Sequence, residues 1–139
     1  MTALPPRPRP TPTTQPFWDA LADERLRLQR CEACGAWVHY PRVRCPGCLS
    51  DQLDWCDVEP VGTVHTFTVA RAPTAPPFAA QVPQYIAVIE LANGVRLTST
   101  LVDVEGHDLH AGTPVQGVFD HGDDGVTLLR FRPSAAPTP

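Results

Sequence analysis

The chain has 139 residues, 42% apolar and 19% charged, enough for one packed domain or a small module joined to another despite 17 prolines. Its formal charge of −4 is uneven: residues 1–50 hold seven arginines against four acids, a net of +3, and residues 51–139 hold four against eleven, a net of −7. The acidic part repels phosphate backbones and argues against nucleic-acid binding there, and the longest strongly apolar run, YIAVI at 85–89, is far too short to cross a membrane.

The opening stretch, MTALPPRPRPTPTTQP, lacks the apolar run of a signal peptide. We therefore expect a cytoplasmic protein whose cysteines are reduced rather than paired. Residues 1–13 are Pro-rich and read as a flexible tail. TTQPFWDALADER reads as a short helix, with Thr14 as its cap and Pro16 in the first turn. Phe17, Trp18 and Leu21 give it one bulky apolar face. So short a helix is unstable alone, so that face packs on this chain's own body or on a second chain. Leu26 and Leu28 then alternate with polar residues and predict a strand leading into a cysteine cluster.

The cluster is two C-x-x-C pairs, Cys31/Cys34 and Cys45/Cys48. Each pair turns the backbone tightly so that two sulfurs converge, and Gly35 suits the left-handed position such a knuckle needs. The ten residues between the pairs predict two short strands and a turn, and the whole reads as a zinc-ribbon hairpin. Iron uses the same four ligands in rubredoxin-like sites. Four thiolates leave no open position for water or substrate, so the metal is structural. His39 lies between the pairs but is not needed as a ligand. Cys56 is read as a half-buried core residue, because a reactive thiol needs a base and a polarised pocket. The remaining histidines are scattered, and no phosphate loop, dinucleotide fingerprint or nucleophile elbow occurs.

Helix and ribbon are assigned to residues 14–56, and β patterning fills 57–133. GTVHTFTVAR (62–71) predicts a strand, and APTAPPFAAQVPQ (72–84) a long Pro/Ala loop. YIAVIEL and VRLTSTLVDV predict a hairpin around Asn93-Gly94. EGHDLHAGT is a connection with room for one helical turn. PVQGVFD and GVTLLRFRP are two more strands around HGDDG. Five strands with a break after the third fit a Greek-key barrel of the oligonucleotide/oligosaccharide-binding (OB) type, with an open β-sandwich as the competing architecture. Residues 134–139 form a C-terminal tail.

The order TQPFWDAL, LQRCEACGAWVHYPRVRCPGC, GTVHTFTV, PQYIAVIELANGVRLTSTLV, GTPVQGVFD, GVTLLRFRP resembles the domain of unknown function thirty-five family along nearly the whole chain. The resemblance implies an N-terminal helix, a rubredoxin-like zinc ribbon and a C-terminal OB-fold. It also implies a partner subunit of a thiolase-superfamily enzyme, in complexes that perform acyl transfer, Claisen condensation or retro-aldol cleavage of steroid side-chain CoA thioesters. Carried over by position, the metal ligands are Cys31, Cys34, Cys45 and Cys48, and no catalytic residue is carried over. Leu49 departs from the pattern, which has glycine after the last cysteine, and the second knuckle is expected to be less relaxed. Arg42 and Arg44 flank that knuckle and fit CoA phosphates, or equally salt bridges to a partner. Phe17, Trp18 and Leu21 are the candidate partner interface. The leading expectation is thus a non-catalytic accessory subunit of an acyl-CoA complex. The alternatives are a nucleic-acid-binding zinc-ribbon/OB protein, disfavoured by the charge of −7, and an iron-based electron carrier.

Overall fold

A computed structural model describes residues 5–73 and 75–134. Helix α1 (Gln15–Ala22) begins with Pro16 in its first turn, where a missing N–H forfeits no hydrogen bond. Thr14 occupies the cap position, but its hydroxyl makes no cap bond to the helix. It accepts from the Thr11 N–H at 2.9 Å and so closes the turn before the helix instead. What holds this short helix is burial of Ala20 and Leu21.

Strand β1 (Leu26–Cys31) lies at the centre of a three-stranded sheet, between β2 (Trp37–Val38) and β3 (Leu53–Val58), antiparallel to both. Two strands were expected between the cysteine pairs, and only the two-residue β2 forms there. The physical reason is a side chain. Gln29 is buried on β1, and its amide donates to the Arg42 carbonyl at 2.9 Å while its Oε1 accepts the Arg42 N–H at 2.7 Å. That pair of bonds satisfies backbone groups that a second strand would otherwise have to pair. The third strand comes from beyond the cysteines: β3 pairs all six of its residues with β1, from Leu26 opposite Val58 to Cys31 opposite Leu53.

Five further strands close a barrel: β4 (Val61–Ala70), β5 (Gln84–Leu91), β6 (Arg96–Leu101), β7 (Pro114–His121) and β8 (Thr127–Pro133). Their order is β4-β5-β6-β8-β7, with β7 returning to β4 and β8 running parallel to β6 at Leu101 and Phe131. This is the closed OB-type barrel expected, not the open sandwich. Gly62 permits the β4–β5 approach, since a Cβ there would run into the Glu90 carbonyl. The β5–β6 hairpin turns at Asn93-Gly94, with Gly94 at φ +86° and the Leu91 N–H bonded to the Val95 carbonyl at 2.8 Å. The Pro/Ala loop carries one 3-10 turn, Pro76–Gln81, with no buried residue. The connection between β6 and β7, which has room for one helical turn, forms none. Thr113 folds that connection instead, its hydroxyl donating to the His110 carbonyl at 2.8 Å and accepting the His110 N–H at 3.0 Å.

One apolar cluster runs through all three parts. Leu21 of α1 and Leu26 and Leu28 of β1 pack with Val64, Ile89 and Phe131 of the barrel. A second, smaller cluster at the far end of β1 consists of Cys31, Val38 and Cys45, with Leu53 against it. Of the expected terminal tails, residues 1–4 and 135–139 lie outside the described residues. Within the first, Arg7 reaches the β7–β8 turn, donating to Asp124 Oδ2 at 3.2 Å and to the Val126 carbonyl at 2.7 Å.

Candidate functional site

The two knuckles are built alike. The Cys31 carbonyl accepts the Gly35 N–H, and the Cys31 N–H donates to Ala36, both at 2.8 Å. The Cys45 carbonyl accepts the Leu49 N–H, and the Cys45 N–H donates to Ser50, again at 2.8 Å. Each knuckle ends on a left-handed residue, Gly35 at φ +77° and Leu49 at φ +67°. The first position suits glycine, whereas the second strains a side chain that prefers other regions.

The four sulfurs lie within 4.8 Å of one another. Cys31 and Cys48 are 3.6 Å apart and Cys34 and Cys45 3.7 Å, far beyond a disulfide bond. A tetrahedron with metal–sulfur bonds of about 2.3 Å has edges of about 3.8 Å, so these distances fit a metal-bound set. Backbone N–H groups, Cys34 foremost, pull the Cys31 thiol down to about 7. The Cys48 and Gly47 N–H groups lower Cys45. Cys48 receives the Ser50 N–H, yet its three neighbouring thiols push it up to about 12. Four convergent thiolates ionise together only around a positive ion. Bound there, the ion has four protein ligands and a structural role; zinc and iron share this donor set.

His39 is not part of this set. It lies against Tyr40, ring centroids 4.1 Å apart, and near Phe17 at 5.8 Å, and burial pushes its pKa down to about 4. Here the chain forms a cavity of about 510 Å³ where three segments meet. Phe17 and Trp18 of α1, His39 and Tyr40 of the ribbon, and Leu97 and Leu129 of the barrel line it, with Arg130 on its wall and no carboxylate among its lining residues. The Tyr40 hydroxyl ties ribbon to barrel by accepting the Thr98 N–H at 3.4 Å. Arg130 is neutralised by Asp120 at 2.8 Å. Sequence reasoning missed this site; its one local signal was the pairing of Phe17 with Trp18, which stack edge-on at 5.1 Å.

Of the helix face expected to meet a partner, Leu21 is wholly buried within this chain, and Phe17 and Trp18 are half-buried at the cavity. Arg42 and Arg44 are both exposed, and Arg44 Nη1 donates to the Leu49 carbonyl at 3.2 Å. Cys56 is half-buried on β3, opposite Leu28. One arrangement superficially resembles a catalytic triad: His121 lies 2.9 Å from the Thr127 hydroxyl and 3.2 Å from Glu24. Thr127 is 3% exposed, so no substrate reaches it.

Residues 18–54 match the ChsH2 rubredoxin-like zinc ribbon domain, and residues 55–120 match the ChsH2 C-terminal OB-fold domain. A DUF35 domain-containing scaffold protein of Methanocaldococcus jannaschii is 36% identical over 110 residues, 74% of this chain and 76% of that protein. The chain belongs to the DUF35 family. Another relative of this DUF35 chain is the "Probable enoyl-CoA hydratase alpha subunit" of Thermomonospora curvata, 38% identical over 92% of this chain. The chain spans only 40% of the length of that relative. Among solved structures, the Ltp2-ChsH2(DUF35) aldolase superposes with a TM-score of 0.81 at 32% identity, covering 93% of this chain and 100% of that one. No helix among the described residues is long and apolar enough to cross a membrane.

Proposed function

We propose that this DUF35 chain is a non-catalytic subunit of a complex that processes CoA thioesters. A thiolase-superfamily partner supplies the reacting groups for acyl transfer or for retro-aldol cleavage, with steroid side-chain thioesters as the substrate class. The observation that carries this reading is chemical. The metal centre is closed by four thiolates, and the cavity of about 510 Å³ is lined by no nucleophile paired with a base. Such a chain orders and positions; it does not react. The names of its relatives support the reading, since they include a hydratase subunit, a scaffold protein and an aldolase complex. The metal is zinc, held by Cys31, Cys34, Cys45 and Cys48, and the complex works in the cytoplasm. Phe17 and Trp18, half-buried on the helix, are contacts through which the partner completes the cavity wall.

Co-expression with a thiolase-superfamily protein of the same organism, followed by size-exclusion chromatography, tests this. One peak containing both chains, with CoA-thioester turnover only in the complex, is expected. Two separate peaks, or turnover by this chain alone, would overturn it. Trp18→Ala is expected to weaken the complex while leaving the metal content unchanged.

A further inference from the structure

Few large apolar side chains stand in solvent among the described residues. They are Tyr40, Val43, Leu49 and Val61, and three of these four lie between residues 40 and 49, around the second knuckle. Val43 is 71% exposed and Leu49 68%, so neither adds appreciable burial to the fold.

Leu49 carries a second peculiarity. It is held at φ +67°, where a leucine is strained, while the equivalent residue of the first knuckle is Gly35 at φ +77°. The two knuckles have the same hydrogen bonds, so glycine would satisfy the backbone at 49 as it does at 35. The chain therefore keeps at 49 a side chain that strains its backbone and stands mostly in solvent. Backbone strain of this kind clusters at functional sites, and burial of the leucine does not account for it here.

The charges beside it describe that contact. Arg42 and Arg44 bracket Val43, and both are exposed. Arg44 donates to the Leu49 carbonyl, which fixes its guanidinium beside the strained residue. The Arg42 backbone is clamped on both sides by the buried Gln29, while its exposed guanidinium forms no hydrogen bond or ion pair among the described residues. Two exposed apolar side chains and two exposed cations thus share residues 42–49, the segment that carries Cys45 and Cys48.

We propose that Val43 and Leu49, flanked by Arg42 and Arg44, form the docking surface for a protein partner that presents an apolar depression rimmed by carboxylates. A phosphate ligand would engage the arginines and leave Val43 and Leu49 in water, whereas a carboxylate-rimmed protein face uses all four residues. Because the knuckle is already ordered, little entropy is lost on docking. This inference rests on the subunit role proposed above and says where on the ribbon the partner sits.

The test uses the full chain and its thiolase-like partner, with affinity measured for Leu49→Gly, Val43→Ser and Arg42→Glu, and metal content checked in each. Leu49→Gly is expected to raise the thermal midpoint of the isolated chain and, in the same protein, to weaken the complex about tenfold. A residue with a merely structural role does not move those two readouts in opposite directions. Val43→Ser and Arg42→Glu are expected to weaken the complex without loss of metal, and Arg42→Glu to flatten its salt dependence. A wild-type complex that Leu49→Gly and Val43→Ser leave intact would overturn the surface but not the subunit role. An Arg42→Glu chain that loses affinity for free coenzyme A but not for the partner assigns the arginines to phosphate and overturns the proposal. Self-association of the chain that the variants abolish, with partner binding untouched, overturns it too. If the wild-type chain forms no complex, the subunit role falls and the surface with it.

Discussion

The two ends of β1 are stabilised by different physics. At its start, Leu26 and Leu28 sit in an apolar cluster shared with α1 and the barrel. At its end, Cys31 belongs to a cluster with only Val38, Cys45 and the flanking Leu53. The barrel has enough apolar side chains to hold itself by burial, while the outer ribbon has four sulfurs and little else. Small modules of this kind draw their stability from a metal where a core is lacking. The contrast between a burial-stabilised base and a metal-stabilised tip is open to experiment from both sides.

The largest effect falls on the tip. Removing the metal by chelation, or replacing Cys45 with serine, forfeits metal binding worth on the order of 10 kcal/mol in ribbons of this kind. The outer ribbon is expected to lose amide protection while β4–β8 keep theirs, and hydrogen exchange resolved by residue would show whether the loss stops partway along β1.

The base should respond next. Phe131 is wholly buried at the point where β8 meets β6, so Phe131→Ala is expected to cost about 3–5 kcal/mol and to unfold base and tip together. Denaturant unfolding with the metal retained would measure it. A metal-retaining tip that outlives the barrel would show that the tip needs no support from the base.

The joint between the two carries a pH signature. His39 titrates near 6.5 when unfolded but is pushed down to about 4 by burial in the fold. The unfolded chain therefore takes up a proton that the folded chain refuses. Stability is complete above pH 6.5, falls as the pH drops toward 4, and levels off below, a loss on the order of 2 kcal/mol for a ring that is only partly buried. Difference curves between the wild type and His39→Phe would isolate this from acid release of the metal. A parallel pair of curves would show that the ring does not resist protonation.

The smallest expected effect is a gain. Leu49→Gly relieves a left-handed leucine and should stabilise the isolated chain by about 1 kcal/mol, read as a higher thermal midpoint at unchanged metal content.

Features that depend on near neighbours along the chain are legible in the amino-acid sequence. The cysteine spacing predicts the convergent sulfurs, Asn93-Gly94 predicts the β5–β6 turn, and β-rich composition between turn signals predicts all five barrel strands. The family resemblance implies glycine where Leu49 stands, and the fold gives that departure its physical form, a positive φ. Features that depend on distant segments are not legible in this way. In β3, Trp55 and Cys56 are adjacent and both half-buried, so the alternation that marks a strand is blurred, and its partner β1 lies well back in the chain. The clamp of Gln29 on Arg42 replaces a strand pairing with a side chain, which no periodicity reports. The cavity draws its walls from the helix, the ribbon and three barrel strands, and no stretch of sequence holds more than a fragment of it.

The segment that carries His39 and Tyr40 runs from Cys34 to Cys45, and both of its ends are metal ligands. In the language of polymer statistics the metal is a cross-link that closes a short loop. Closing a loop of that size removes chain entropy on the order of 3 kcal/mol from the unfolded ensemble, before any contact inside the loop is counted. The ribbon side of the cavity is thus a tethered span rather than a free one. An ion bound by the four cysteines would restrict that span from a site outside the cavity's lining, and His39 and Tyr40 would meet that space on a chain already constrained at both ends.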